Sequence, residues 1–140
     1  MDNPAMIFIL AAVLLLSVVG VIYLLVGAKG KTQLDTTRYQ TKWLVIENSF
    51  ERTNPASWQL AVMNADKLLD EALRERGFKG TTMGERMKVA NKTWKNANHV
   101  WGAHKIRNQL AHETDVQMSY DTAARSLSAF KQALKDLGAI

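Results

Sequence analysis

The stretch HKIRNQLAHE, residues 104–113, gathers two of the chain's three histidines around Lys105, Arg107 and Asn108. Histidine titrates near neutral pH and suits either direction of proton transfer. Arginine presents a planar fork that binds non-bridging phosphate oxygens in pairs. Together these types suit metal-free cleavage of RNA: one group takes the ribose 2′-OH proton, one protonates the leaving 5′ oxygen, and a cation stabilises the phosphorane. The row holds no Cys and no carboxylate, so it predicts no metal site, and no cofactor is expected.

Read as a helix at about 100° per residue, the segment has two sides. Ala103, Ile106 and Leu110 face a core. Trp101, His104, Lys105, Asn108 and His112 face away from it, and His104, Asn108 and His112 form one i, i+4 row. Arg107 stands at the border, where its long side chain can bend towards the row. An ordinary solvated, salt-bridged face is the bland alternative.

Helices must position this strip, and the punctuation of the chain is helical throughout. Helices are expected over 41–50, 55–76, 82–94, 98–113 and 120–137. Asn54 followed by Pro55 starts the second, with Leu60, Met63, Leu68, Leu69 and Leu73 in core-like positions, and Gly77 stops it. Thr82 with Glu85 three residues on forms a capping box for the third. Ser119 caps the last and Gly138 ends it. Asp70 and Arg74 sit at an i, i+4 spacing that supports an exposed helix face. The expected fold is all-α, a small antiparallel bundle of four to five helices.

Ahead of the bundle, residues 5–27 read AMIFILAAVLLLSVVGVIYLLVG, an apolar run without charge. At about 1.5 Å per residue it spans roughly 30 Å or slightly more, the hydrocarbon thickness of a bilayer. A cleavable signal is the rival reading, since Val26, Gly27 and Ala28 resemble a cleavage pattern. No Lys or Arg precedes the run, however, and the run exceeds the roughly 7 to 15 apolar residues of a signal core. A retained single-pass anchor is therefore expected. Lys29, Lys31, Arg38 and Lys42 follow it, which puts the N-terminus outside and the rest in the cytoplasm. The domains expected are an anchor over 1–28, a juxtamembrane linker with a short helix over 29–54, and the bundle over 55–140.

All 18 Lys and Arg lie beyond residue 28 together with 12 of the 13 acids, so the part after the anchor carries a net +6. That charge favours anionic partners, nucleic acid or the inner leaflet. Seven of the cations, Lys79, Arg86, Lys88, Lys92, Lys95, Lys105 and Arg107, fall between residues 79 and 107 with a single acid, Glu85. Such a segment forms either a phosphate-binding surface or a solvated face. Cysteine is absent, which excludes disulfides, thiolate metal sites and a Cys nucleophile.

Arg107-Asn108-Gln109-Leu110-Ala111-His112 resembles the R-N-x-x-x-H pattern of the HEPN superfamily, small all-helical domains many of which are metal-independent ribonucleases. The basic helix before it, Glu113 after it, the short polar loop and the last amphipathic helix are similar to the family's order of elements. The resemblance covers most of 55–138 and leaves out the anchor. It implies a HEPN-like bundle, with Arg107 and His112 as the catalytic pair and Asn108 as polar helper. It also implies a homodimer around one RNA strand, and a protein antitoxin or regulator as a further partner. His104, Lys105, Lys88, Lys92 and Lys95 are the expected RNA-binding residues, with Trp94 and Trp101 as candidate stacking platforms. Two functions follow: a membrane-anchored endoribonuclease that cuts single-stranded RNA to a 2′,3′-cyclic phosphate, or a non-catalytic adaptor of the same fold that binds protein, nucleotide or RNA.

Overall fold

A computed structural model describes residues 4–27 and 33–140, and these are helical with no strand among them. The chain divides into two units, Met1–Thr32 and Gln33–Ile140. The first contains α1 (Pro4–Gly27). Within it Met6–Tyr23 has a mean hydropathy of 2.8 and no buried side chain, so by length and composition it can cross a membrane. Ser17 donates its hydroxyl to the Leu14 carbonyl at 2.8 Å, which satisfies the one hydroxyl in the middle of the run internally. Lys29 and Lys31, on which orientation partly rests, and Ala28 of the cleavage-like triplet lie outside the described residues.

The second unit holds α2 (Thr36–Ser49), α3 (Pro55–Glu75), α4 (Met83–Val89), a single 3-10 turn (Asn91–Thr93), α5 (Ala97–His112) and α6 (Tyr120–Asp136). Each α-helix starts where a side chain can satisfy an otherwise free backbone N–H. Asp35, Asn54, Thr82, Asn96 and Ser119 are the caps, and Thr82 and Glu85 complete the capping box. Gly77 and Gly138, at φ +83 and +72, take the left-handed turn that ends α3 and α6.

α3 is the centre of the bundle and packs against α2, α4, α5 and α6, while α5 also packs on α6. Its row of Ala61, Ala65, Leu68 and Ala72 is buried, and the small side chains let neighbouring backbones come close. Val62, Leu69, Leu73, Phe130 and Leu134 are excluded from solvent. Burying each contributes about 1.5–3 kcal/mol. Ion pairs fix the antiparallel run of α2 on α3: Arg38 meets Glu75 at 2.6 Å and Lys42 meets Glu71 at 2.6 Å.

Three expectations change. The first helix of the bundle begins at Thr36 rather than 41, because Asp35 caps it, and Tyr39, Trp43 and Ile46 carry it into the core. The stretch 29–54, read as linker and short helix, thus belongs to the bundle from residue 33 onward. Leu60 is 56% exposed, since the buried row of α3 runs through Ala61 and Val62 instead. The third helix ends at Val89 and not at 94. Trp94 turns into the core, where its indole N–H donates to the Met87 carbonyl at 3.2 Å and so satisfies an acceptor in the helix's last turn.

Candidate functional site

Asp66 of α3 is 2% exposed, and the site is built around it. An unpaired buried carboxylate would cost several kcal/mol, so partners are obligatory. α5 supplies two. His104 Nδ1 lies 2.7 Å from Asp66 Oδ1, and Arg107 Nε lies 3.0 Å from Asp66 Oδ2. The second contact is an ion pair in distance, though the Nε–H is not aimed along a hydrogen bond to any acceptor. His104 and Arg107 are three residues apart on one helix, the spacing at which two side chains can reach the same carboxylate.

Asn108 extends the cluster. Its Oδ1 accepts a hydrogen bond from Arg107 Nη1 at 3.0 Å, and its amide N–H groups have no partner among the described residues. The Arg107 side chain remains 32% exposed, so part of the guanidinium edge meets solvent. Trp101, half-buried, sits edge-on to His104 with ring centroids 6.2 Å apart, and its ring tip passes over Gly84 of α4.

His112 is the last residue of α5 and is exposed, with no side-chain hydrogen bond or ion pair among the described residues. Five residues separate it from Arg107, about 7.5 Å along the axis and roughly 140° around it. Arg107 therefore reaches inward to α3 while His112 stands outward at the helix end.

His104 does not face solvent, contrary to its place in the outward row. It is 8% exposed because hydrogen bonding to Asp66 draws the imidazole into the α3–α5 contact. Lys88 on α4, Lys92 in the 3-10 turn, Lys95 in the following link and Lys105 on α5 are exposed, and none forms an ion pair among the described residues. Arg86, counted among the basic surface residues, is instead 5% exposed. It donates to Asp70 at 2.7 and 3.0 Å and to the Gly80 carbonyl at 2.6 Å, and so ties α4 to α3. Trp94 is buried, which removes it as a stacking surface.

A second feature lies elsewhere on α5. Between α5 and α6 runs a groove of about 780 Å³ with Lys105, Gln109 and Arg125 among its lining residues. Neither Arg107 nor His112 lines it. No three potential His or carboxylate metal ligands group together among the described residues.

Against known proteins, the chain matches no family model, no curated protein and no solved structure. The reading of the site rests on its residues. Two of them escaped the sequence, Asp66 and Arg125. Asp66 left a trace, because Val62, Leu69 and Leu73 flank it in an otherwise apolar helical row. Arg125 left none, since its relation to Lys105 exists only once α5 and α6 are packed.

Proposed function

We propose that this protein is a membrane-anchored, metal-independent endoribonuclease of the HEPN type, acting on single-stranded RNA. The observation that carries the reading is the contrast within one helix turn and a half. Arg107 is held by Asp66 and Asn108 with part of its edge in solvent, and His112 stands exposed at the end of the same helix, without a side-chain partner among the described residues. His112 takes the proton from the ribose 2′-OH, the 2′ oxygen attacks phosphorus, and Arg107 stabilises the charge on the phosphorane. The P–O5′ bond breaks, the 5′ oxygen leaves with a proton returned by an imidazole, and the products are a 2′,3′-cyclic phosphate and a 5′-hydroxyl. Asn108 and Asp66 position Arg107. Lys88, Lys92, Lys95 and Lys105 attract the strand, and Lys29, Lys31, Arg38 and Lys42 keep the bundle on the cytoplasmic side. A homodimer would bring a second Arg107 and His112 to the same strand, and an activity of this kind calls for a restraining protein partner.

The test is incubation of the full chain in detergent with end-labelled single-stranded RNA and EDTA, beside His112→Ala. Cleavage to cyclic-phosphate ends that is lost in the variant is the expected result; cleavage at the same rate in His112→Ala refutes the assignment.

A second reading, a non-catalytic adaptor, is favoured by one observation: Arg107 spends Nε near Asp66 and Nη1 on Asn108, as a purely structural tie would. It predicts RNA or protein bound and left intact, with no response to His112→Ala.

A further inference from the structure

The groove between α5 and α6 stands apart from the Asp66 cluster, and its lining carries two cations, Lys105 and Arg125, against one acid, Asp136. Lys105 of α5 and Arg125 of α6 line it, are exposed, and form no ion pair among the described residues. The one acid in the lining, Asp136, is already engaged through both oxygens: Oδ2 accepts from the Lys95 backbone N–H and Oδ1 from Gln132 Nε2, each at 2.9 Å. Alanines 103, 129 and 133 contribute to the floor, and these short side chains leave a volume of about 780 Å³. That lies within the roughly 300–1,000 Å³ of pockets that hold compact ligands. Asn98 and Gln109 add amides able to read base edges.

We propose that this groove holds a segment of the single-stranded RNA that runs on to His112 at the end of α5, with Lys105 and Arg125 gripping its phosphates. The proposal rests on the ribonuclease reading for the choice of ligand and deepens it by giving the strand a path. Continuity along α5 supports that choice. Lys105 lies seven residues before His112, about 10 Å along the helix axis, so a strand leaving the groove past Lys105 and Gln109 arrives at the imidazole. Trp94 in the lining is buried, whereas His99 is exposed there and offers an imidazole face on which a base can stack.

The experiment uses the full chain in detergent, in the His112→Ala background and with EDTA, and measures fluorescence anisotropy of a labelled 12-nucleotide single-stranded RNA across a salt series. Arg125→Glu and Lys105→Glu each should weaken binding roughly tenfold or more at low salt. Each should also flatten the logarithmic salt slope by about 0.7 for every phosphate no longer neutralised. Lys67→Glu, an exposed change of the same charge on α3, serves as control and should do much less. Thermal unfolding of each variant confirms the fold, because the substituted side chains are all on the surface.

Equal effects of the three changes would overturn the proposal by reducing it to net charge, and unchanged affinity in Arg125→Glu would overturn it outright. Equal affinity for a duplex of the same sequence would overturn the single-strand assignment. An acidic amphipathic peptide that binds in an Arg125-dependent way while RNA does not would replace RNA by a protein partner. Groove-dependent binding without any cleavage by the unaltered chain would uphold this inference and remove the nuclease reading, so the two fail separately.

Discussion

Asp66 and Asp70 stand one turn apart on α3, and each reaches an arginine on a neighbouring helix. Around Asp70 the arrangement is closed. The Arg86 side chain is 6% exposed, takes both carboxylate oxygens and spends its remaining nitrogen on the Gly80 carbonyl, while Arg74 covers the outer side of the same carboxylate at 2.8 Å. Around Asp66 it is open. Arg107 is 32% exposed, approaches the carboxylate without hydrogen-bond alignment, and is steadied by a neighbouring Asn rather than a backbone carbonyl. The same acid–arginine pairing thus serves as a rivet in one place and as a tethered, partly available cation in the other.

Removing the two arginines should break this comparison into its parts, and these are the largest effects expected. Arg86→Ala removes the buried guanidinium from Asp70, leaves Arg74 as that carboxylate's one remaining arginine, and should lower stability by roughly 1–3 kcal/mol, read as a shifted urea midpoint. Arg107→Ala should cost less stability, since the group is partly hydrated and His104 still covers Asp66. It should instead lower RNA cleavage by about 10²–10³-fold, as expected when a donor to a developing oxyanion is lost. If Arg107→Ala unfolds the bundle as Arg86→Ala does, the open cluster is a rivet as well.

A smaller and sharper test keeps the geometry and removes the charge. Asp66→Asn is isosteric and can still bond to His104, but it no longer holds the guanidinium electrostatically. Its expected signature is a lowered kcat per folded molecule with little change in KM, the folded fraction being taken from the urea unfolding curve because partial unfolding also lowers apparent kcat without moving KM. Asp70→Asn should leave kcat alone and move only the unfolding midpoint.

The two clusters also show what a sequence tells and what it withholds. Asn54, Thr82 with Glu85, Ser119, Gly77 and Gly138 were legible because capping is local chemistry, decided within four residues. The amphipathic order of the helices was legible from periodicity. His104 was misplaced because periodicity treats imidazole as polar, whereas a buried carboxylate 38 positions away makes the interior its better environment. Arg86 was read as surface for the same reason, its partner Asp70 being on another helix. Trp94 lies beyond the end of its expected helix, bonded to a carbonyl seven residues back, a contact that no propensity encodes. In each case the deciding interaction joins elements whose packing the sequence alone does not supply.

Exposed carboxylate bonds, two between helices and one within the cap of α4, set the lower end of the same scale. Hydrogen bonding from Lys131 holds the Glu47 carboxyl below its usual range, bonding from Arg38 does so for Glu75, and the backbone N–H groups of Thr81 and Thr82 do so for Glu85. A carboxylate whose folded value is depressed stabilises the fold fully above its unfolded value, near 4.3, and loses that contribution as pH falls through the folded value. The stability contributed by these three carboxylates should therefore be constant from neutral pH down to about 5 and decline below about 4. Glu47→Gln removes one such tie, a pair with both side chains more than a third exposed, so solvent screening limits the change at pH 7 to about 1 kcal/mol or less. The variant should also lose less stability than the parent between pH 5 and pH 3. Urea midpoints of the two proteins at pH 7, 5 and 3 check this directly. A parallel decline in both would show that the Glu47 tie does not carry the acid sensitivity, and the difference between rivet and surface tie would have to be drawn elsewhere.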